Sequence, residues 1–346
     1  MSSREIYLVG SVPLATTADV FTVASEKFGT LINQIPDGEV GNRIDWITHL
    51  EAIFRDNPAF EPSDEIFSVH GGAAKRVRYR LRPGVRATDV RFENLGYVDT
   101  ALASYAEFRR LRDAGKIARG TRFQVDLVPA HSVIWLFVVE GKQAAIDPVY
   151  NAAVLREMRE IAEKIPHADL AIQYDVASAV FARLERGEPT PYGRTKAEML
   201  DRFGTIIADL SNPVPTDIPL LFHFCYGDAN HKHAIEPTDM GDMVDMANVL
   251  TQKVRRPINL IHMPVPRDRD DDRYFAPLKR LELRESTRLI LGLVHYTDGL
   301  EGTRRRLQTA TKFVRDFGVA TECGFGRRDP TTIPALFDLH VAAASA

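Results

Sequence analysis

The stretch Pro219-Leu-Leu-Phe-His223-Phe-Cys225-Tyr226 decides the reading of this chain. It is a short apolar run, hydrophobic on both faces, that ends abruptly in polar, chemically active residues. Such a run suits a strand buried in a parallel sheet. Similar runs occur on either side of it: Glu5–Val12, Phe123–Val128, Leu170–Asp175, Pro257–Met263, Arg288–His295 and Val319–Cys323. Between them lie segments with helical periodicity, among them Val154–Lys164, Lys196–Leu210, Asp239–Lys253 and Gly302–Phe317. From residue 123 onward the strand starts fall roughly 30–50 residues apart, which is βα spacing and predicts an α/β fold, a single (β/α)8 TIM barrel. The first 120 residues read as an N-terminal elaboration. Thr30–Pro36 and Glu65–Val69 are candidate strands there, Arg76–Arg91 is a hairpin or an excursion, and residues 60–120 are taken to pass partly over the barrel. The expected domain is the whole of 1–346, with Val341–Ala346 frayed.

Composition narrows the function classes. The chain has 346 residues, a formal charge of −3 and 45% hydrophobic residues, enough for one large core. Near-neutral charge gives no electrostatic reason to expect nucleic acid as a partner. No apolar run approaches the ~20 residues of a membrane helix. The start lacks the long apolar region of a signal peptide, so the expectation is a cytoplasmic protein acting on small molecules. Oligomeric state is not readable. Two cysteines cannot make a disulfide framework. No dinucleotide or P-loop glycine pattern follows a strand.

Barrel enzymes place their chemistry at the C-terminal ends of the strands. Here those ends carry Asp126, Gln173-Tyr-Asp175, His223-Phe-Cys225-Tyr226-Gly-Asp228, His262, His295 and Cys323. Residues i and i+2 of a strand point the same way, so His223 and Cys225 can face one metal ion. Cys323 brings a second sulfur from another strand. Imidazole and thiolate together suit zinc. The alternative is that both cysteines are small buried hydrophobes. His262 is either a fourth ligand or a residue that orients a neighbour. His295 is a candidate general acid or base, or a structural hydrogen-bonder. Asp175 points into a site or caps a helix. Asp228–His233 reads first as a polar loop, and Asp268–Arg273 as a solvated loop or lid. Pro36-Asp37-Gly-Glu39-Val-Gly-Asn-Arg43 is turn chemistry, yet its charge density just before Trp46 marks Asp37, Glu39, Arg43 and Trp46 as candidate substrate contacts.

These residues, in this order, resemble the catalytic domain of cobalamin-independent methionine synthase, within the wider group of methionine-synthase-like and uroporphyrinogen-decarboxylase-like barrels. Val9-Gly-Ser11-Val-Pro13 is similar to that family's opening turn, and Leu170–Asp175 to its strand ending in an aspartate that holds the substrate amine. His223-Phe-Cys225-Tyr226 resembles its His-x-Cys zinc motif. Val294-His295-Tyr resembles its strand with a histidine acid near the folate. Thr321-Glu-Cys323-Gly-Phe-Gly-Arg327 resembles its final zinc motif. The resemblance implies a zinc-dependent alkyl or methyl transferase with a thiolate acceptor. It implies His223, Cys225, His262 and Cys323 as ligands, His295 and Asp175 as catalytic groups, and a tetrahydrofolate as a possible methyl carrier. Ser11, Gln173, Tyr226 and Asp228 join the substrate contacts. The chain departs from the family where Val176 and Ala177 follow Asp175, and where His262 stands in place of a glutamate ligand. Two other readings stay open. One is a metal-free decarboxylase or lyase in which Asp37, Arg43, Asp175 and His295 act on an acidic small molecule. The other is a zinc-dependent lyase or hydrolase.

Overall fold

The computed structural model describes residues 3–69, 74–229 and 232–346. It shows an α/β protein: a curled parallel half-barrel sheet of seven strands, with eleven α-helices among the described residues. In chain order the strands are β1 (Gln34–Pro36), β2 (Phe60–Val69), β3 (Ala74–Leu81), β4 (Arg122–Leu127), β5 (Leu170–Val176), β6 (Leu220–Phe224), β7 (Leu260–Pro264), β8 (Arg288–Val294) and β9 (Gly318–Thr321). The sheet order is β1-β4-β5-β6-β7-β8-β9, and β2 and β3 form a separate antiparallel pair. Candidate strand Glu65–Val69 therefore stays out of the main sheet, and Arg76–Arg91 supplies the second arm of that hairpin.

The expected closed ladder of eight strands is not observed. Glu5–Val12 makes only one bridge, Ile6 with Val319. Its backbone still spans the gap: Ile6 N donates to Leu31 O at 2.8 Å and Tyr7 N to Val319 O at 3.0 Å. Beyond Gly10 the segment bonds to loops instead of strands. Val12 N reaches Gly38 O at 2.8 Å, and Ser11 O accepts from Phe325 N at 2.6 Å.

Strand alternation explains where the core ends and the polar layer begins. Ile172, Tyr174, Leu220, Phe222, Ile261 and Leu291 point outward into the large core beneath the helices. The inward positions start apolar: Tyr7, Ala171, Leu221, Leu260, Ile290 and Ala320 form a small closed cluster. Two residues further along, the inward face turns polar at Gln124, Gln173, His223 and His262, all buried. Strands β5, β6 and β7 thus each carry a hydrophobic foot and a polar head, an arrangement consistent with a TIM-like barrel.

The helices begin where capping chemistry allows. Thr16 and Asp19 form a reciprocal capping box at Thr17–Phe28, and Thr195 accepts from Glu198 N at Lys196–Ser211. The expected fraying at the C-terminus is corrected. Helix Ile333–Ala344 runs almost to the end, because Ala343 and Ala344 are buried and Ala344 O accepts from Arg4 N at 2.8 Å. No helix among the described residues is long and apolar enough to cross a membrane.

Candidate metal centre

His223 and Cys225 lie at the head of β6, and Cys323 in the loop just after β9. One donor atom from each lies within 4.8 Å of the others. The two sulfurs are 3.6 Å apart, and Cys323 Sγ is 4.0 Å from His223 Nε2. Two sulfurs at ~2.3 Å on a tetrahedral ion would stand about 3.7 Å apart, so the spacing fits zinc. A backbone N–H, from Gly227, points at Cys225 Sγ at 3.2 Å. The neighbouring Cys225 sulfur and burial push the Cys323 thiol up, so it needs a cation to be held as thiolate.

His262 does not join this cluster. Its Nε2 faces Thr321 O at 3.0 Å, and its Nδ1 faces His223 Nδ1 at 2.8 Å. A carbonyl only accepts, so the proton sits on His262 Nε2, and His262 Nδ1 accepts from His223 Nδ1–H. That leaves His223 Nε2 with a free lone pair on the cluster side. Burial lowers both imidazoles, His223 well below its usual value and His262 to about 4, so both are neutral at neutral pH. Gly292 makes room: a Cβ there would come within 2.8 Å of His262 Nε2. His262 thus faces His223 and Thr321 and not the two sulfurs.

The cluster borders a narrow pocket of about 30 Å³. Its opposite wall is acidic. Asp175, at the head of β5, accepts from Trp46 Nε1 at 3.0 Å and from Gln173 Nε2 at 2.8 Å. Gln173 also donates to Val9 O at 2.9 Å and accepts from the Tyr7 hydroxyl. It is thus a brace for Asp175, fully engaged by protein groups. Asp126 and Glu39 flank Gly10, where a Cβ would meet Asp126 Oδ2 at 3.1 Å and Glu39 Oε2 at 3.6 Å. Burial, then the Asp175 and Asp37 charges, raise Glu39 to about 8; burial raises Asp175 to about 7. Burial, then the Asp175 and Glu39 charges, raise Asp126 well above the carboxylate range. Glu39 and Trp46 both sit at positive φ, 47° and 52°, a strained backbone that aims them at the pocket.

The remaining candidates divide. Asp37 is buried and committed: it accepts from Arg43 at 2.7 Å, Ser104 at 2.7 Å and Glu39 N at 2.8 Å. Asp37 and Arg43 therefore fix the turn that presents Glu39 and border a neighbouring hollow of about 280 Å³. Ser11 lines the metal pocket and also accepts from Gly326 N at 3.2 Å, which ties down the loop carrying Cys323. Gly324 permits this approach, since its Cβ would meet Ser11 Oγ at 2.4 Å. Tyr226 is turned away, hydroxyl to hydroxyl with Tyr274 at 3.2 Å. Asp228 borders the pocket with Arg327 3.5 Å away.

His295 lies on the other side of Cys323, in a basin of about 720 Å³ that also touches Asp228 and Gly324. Its Nε2 faces Val265 O at 2.8 Å, which places the proton there; its Nδ1 looks toward Glu322 at 3.8 Å. Burial lowers this imidazole. His233, from the loop read first as merely polar, bonds Glu322 at 3.1 Å and Glu236 at 2.9 Å. Burial would lower it, but those carboxylates raise it to about 10. His231 and Asn230 of the same loop fall outside the described residues. The sequence reading missed Glu322, Arg327 and the weight of Asp126. Asp126 was findable, because Gln124-x-Asp126 repeats the inward spacing of Gln173-x-Asp175 and His223-x-Cys225.

Among solved structures, the chain is similar to a Listeria monocytogenes protein provisionally named a vitamin-B12-independent methionine synthase. The match has 12% identity and a TM-score of 0.56, and covers 100% of this chain and 98% of that one. At that identity the likeness is one of fold. No family model matches the chain, and no curated protein matches it.

Proposed function

We propose that this protein is a zinc-dependent alkyl or methyl transferase acting on a small thiol, on one domain spanning 1–346. In this reading the sheet is an eight-position barrel whose eighth position is the Glu5–Tyr7 segment. The observation that carries the proposal is the convergence of His223, Cys225 and Cys323 within 4.8 Å at strand heads, facing a pocket. Three protein donors leave one position for a substrate, the pattern of a catalytic rather than a structural zinc. Zinc held by these three side chains would lower the pKa of an incoming thiol toward neutrality. His262 holds His223 in the tautomer that offers Nε2. His295 Nδ1, neutral and free to accept, takes the thiol proton and returns it to the leaving group. Asp175, held by Trp46 and Gln173, and Glu39 position the partner opposite the sulfurs. The donor is a methylated or alkylating small molecule; nothing in the cavity singles out tetrahydrofolate.

The metal-free decarboxylase reading has less support. Asp37 and Arg43 are spent on each other, and the acidic wall disfavours an acidic substrate at that place. A zinc hydrolase or lyase differs in needing no thiol, and activity without added thiol would favour it. The test of the metal site is zinc content by plasma mass spectrometry. About one equivalent is expected in wild type, with loss in Cys225→Ser and in Cys323→Ser. Full retention in both variants contradicts the site.

A further inference from the structure

The basin beside Cys323 is built from the loops that follow β6, β7, β8 and β9, the first and last of which also carry the cysteines. Its carboxylates lie beside cations, with one imidazole shared by two of them. Glu236 and Glu322 hold His233, at 2.9 and 3.1 Å. Asp268 faces Arg267 at 3.5 Å, and Asp228 faces Arg327 at 3.5 Å. Arg269 is held by Asp271 at 2.8 Å. Two further cations stand on the wall, which leaves it one positive charge in excess. Lys232 and Arg328 line the basin and have no ion pair among the described residues. Arg328 is half-buried, five positions after Cys323, and its charge is felt by Glu322. Glu39, Asp126 and Asp175 line the pocket next to the cluster, whereas Lys232 and Arg328 line the basin.

We propose that this basin is a recognition site for a small organic anion, a carboxylate, sulfonate or phosphate group of one reactant, with Arg328 and Lys232 as its binding residues. Arg328 supplies the planar fork that matches an oxyanion, and Lys232 a mobile point charge. The reactant's other end then reaches Cys323 from the His295 side. The role of this anion in catalysis rests on the metal reading; its binding does not.

The experiment is isothermal titration with sodium sulfate, inorganic phosphate and sodium acetate, at ionic strength held constant with chloride. The proteins are wild type, Arg328→Gln, Lys232→Gln, the double variant of both, Cys225→Ser/Cys323→Ser, and Lys116→Gln as a surface control. Saturable millimolar binding of sulfate, phosphate or acetate is expected in wild type. It should weaken about fivefold or more in each basin variant and stay unchanged in the cysteine double variant and in Lys116→Gln. The probe bound best identifies the class of anion. Absence of saturable binding by all three, or equal binding in the Arg328/Lys232 double variant, overturns the proposal. Binding lost with the cysteines assigns the anion to the metal and overturns it too. Zinc content of the same samples separates the two ideas: a protein without zinc that still binds anion loses the metal reading and keeps this one.

Discussion

The sulfur wall and the acid wall line one pocket but are assembled by different means. His223 and Cys225 come from one strand and need only the two-residue alternation of β6 to share a direction. Glu39, Asp126 and Asp175 come from a strained loop and two strands. They reach one place only because Gly10 leaves room between them and the Asp37–Arg43 pair fixes the turn before Trp46. One wall is a set of soft donors that could hold a metal ion. The other is a set of carboxylic acids that burial raises, Asp175 to about 7, Glu39 to about 8 and Asp126 well above the carboxylate range. Opposite chemistry on opposite walls suits a reaction with two unlike partners.

The comparison predicts that the walls can be broken separately. The largest effect is expected on the sulfur side. Cys323→Ser should lower thiol-dependent turnover by on the order of a thousandfold, together with metal loss. On the acid side, Asp175→Asn should lower turnover by about 10–100-fold while zinc content stays at wild-type level. Steady-state assays paired with metal analysis check both. Loss of zinc in Asp175→Asn would erase the division between the walls.

A smaller effect is expected behind the sulfur wall. His262→Ala should weaken zinc affinity by about 10–100-fold, measured by chelator competition, with one equivalent still bound at saturation. His262→Asn, which keeps a polar group near Thr321, should recover part of the loss. If His262→Ala cannot be saturated, His262 is a ligand and the tautomer relay is wrong.

The smallest effect concerns pH. Glu39 near 8 and Asp175 near 7 bind protons in the folded protein that the unfolded chain has already lost above about pH 5. Their contribution to stability is therefore full below the unfolded values and is lost as pH rises through 7 to 8. In the metal-free Cys225→Ser/Cys323→Ser protein, the thermal midpoint should fall by a few degrees from pH 5.5 to pH 8.5. Glu39→Gln should flatten that slope. An unchanged slope would mean that Glu39 is solvated.

What was legible in the sequence follows the same division. The parallel strands and the His223–Cys225 pair could be read because period and spacing are local. The place of Cys323 beside them could be inferred, since strand ends converge in a barrel. His262 was seen but could not be assigned, because ligand and orienting residue have the same spacing. Only the 2.8 Å contact between the two imidazoles distinguishes them. Glu5–Val12 read as a full strand, yet the chain beyond Gly10 pairs with loops, a long-range outcome that alternation does not carry. Tyr226 follows Cys225 directly, so alternation itself turns it outward. Lys232, Arg328 and Glu322 gain meaning only once two distant loops are side by side.

The most direct measurement is X-ray absorption at the zinc edge, before and after a small thiol is added. Two sulfurs at ~2.3 Å and light atoms at ~2.0–2.1 Å are expected first, with a third sulfur replacing a light atom when the thiol binds. A shell that does not change with thiol, or one without both sulfurs, would contradict thiol activation at His223, Cys225 and Cys323.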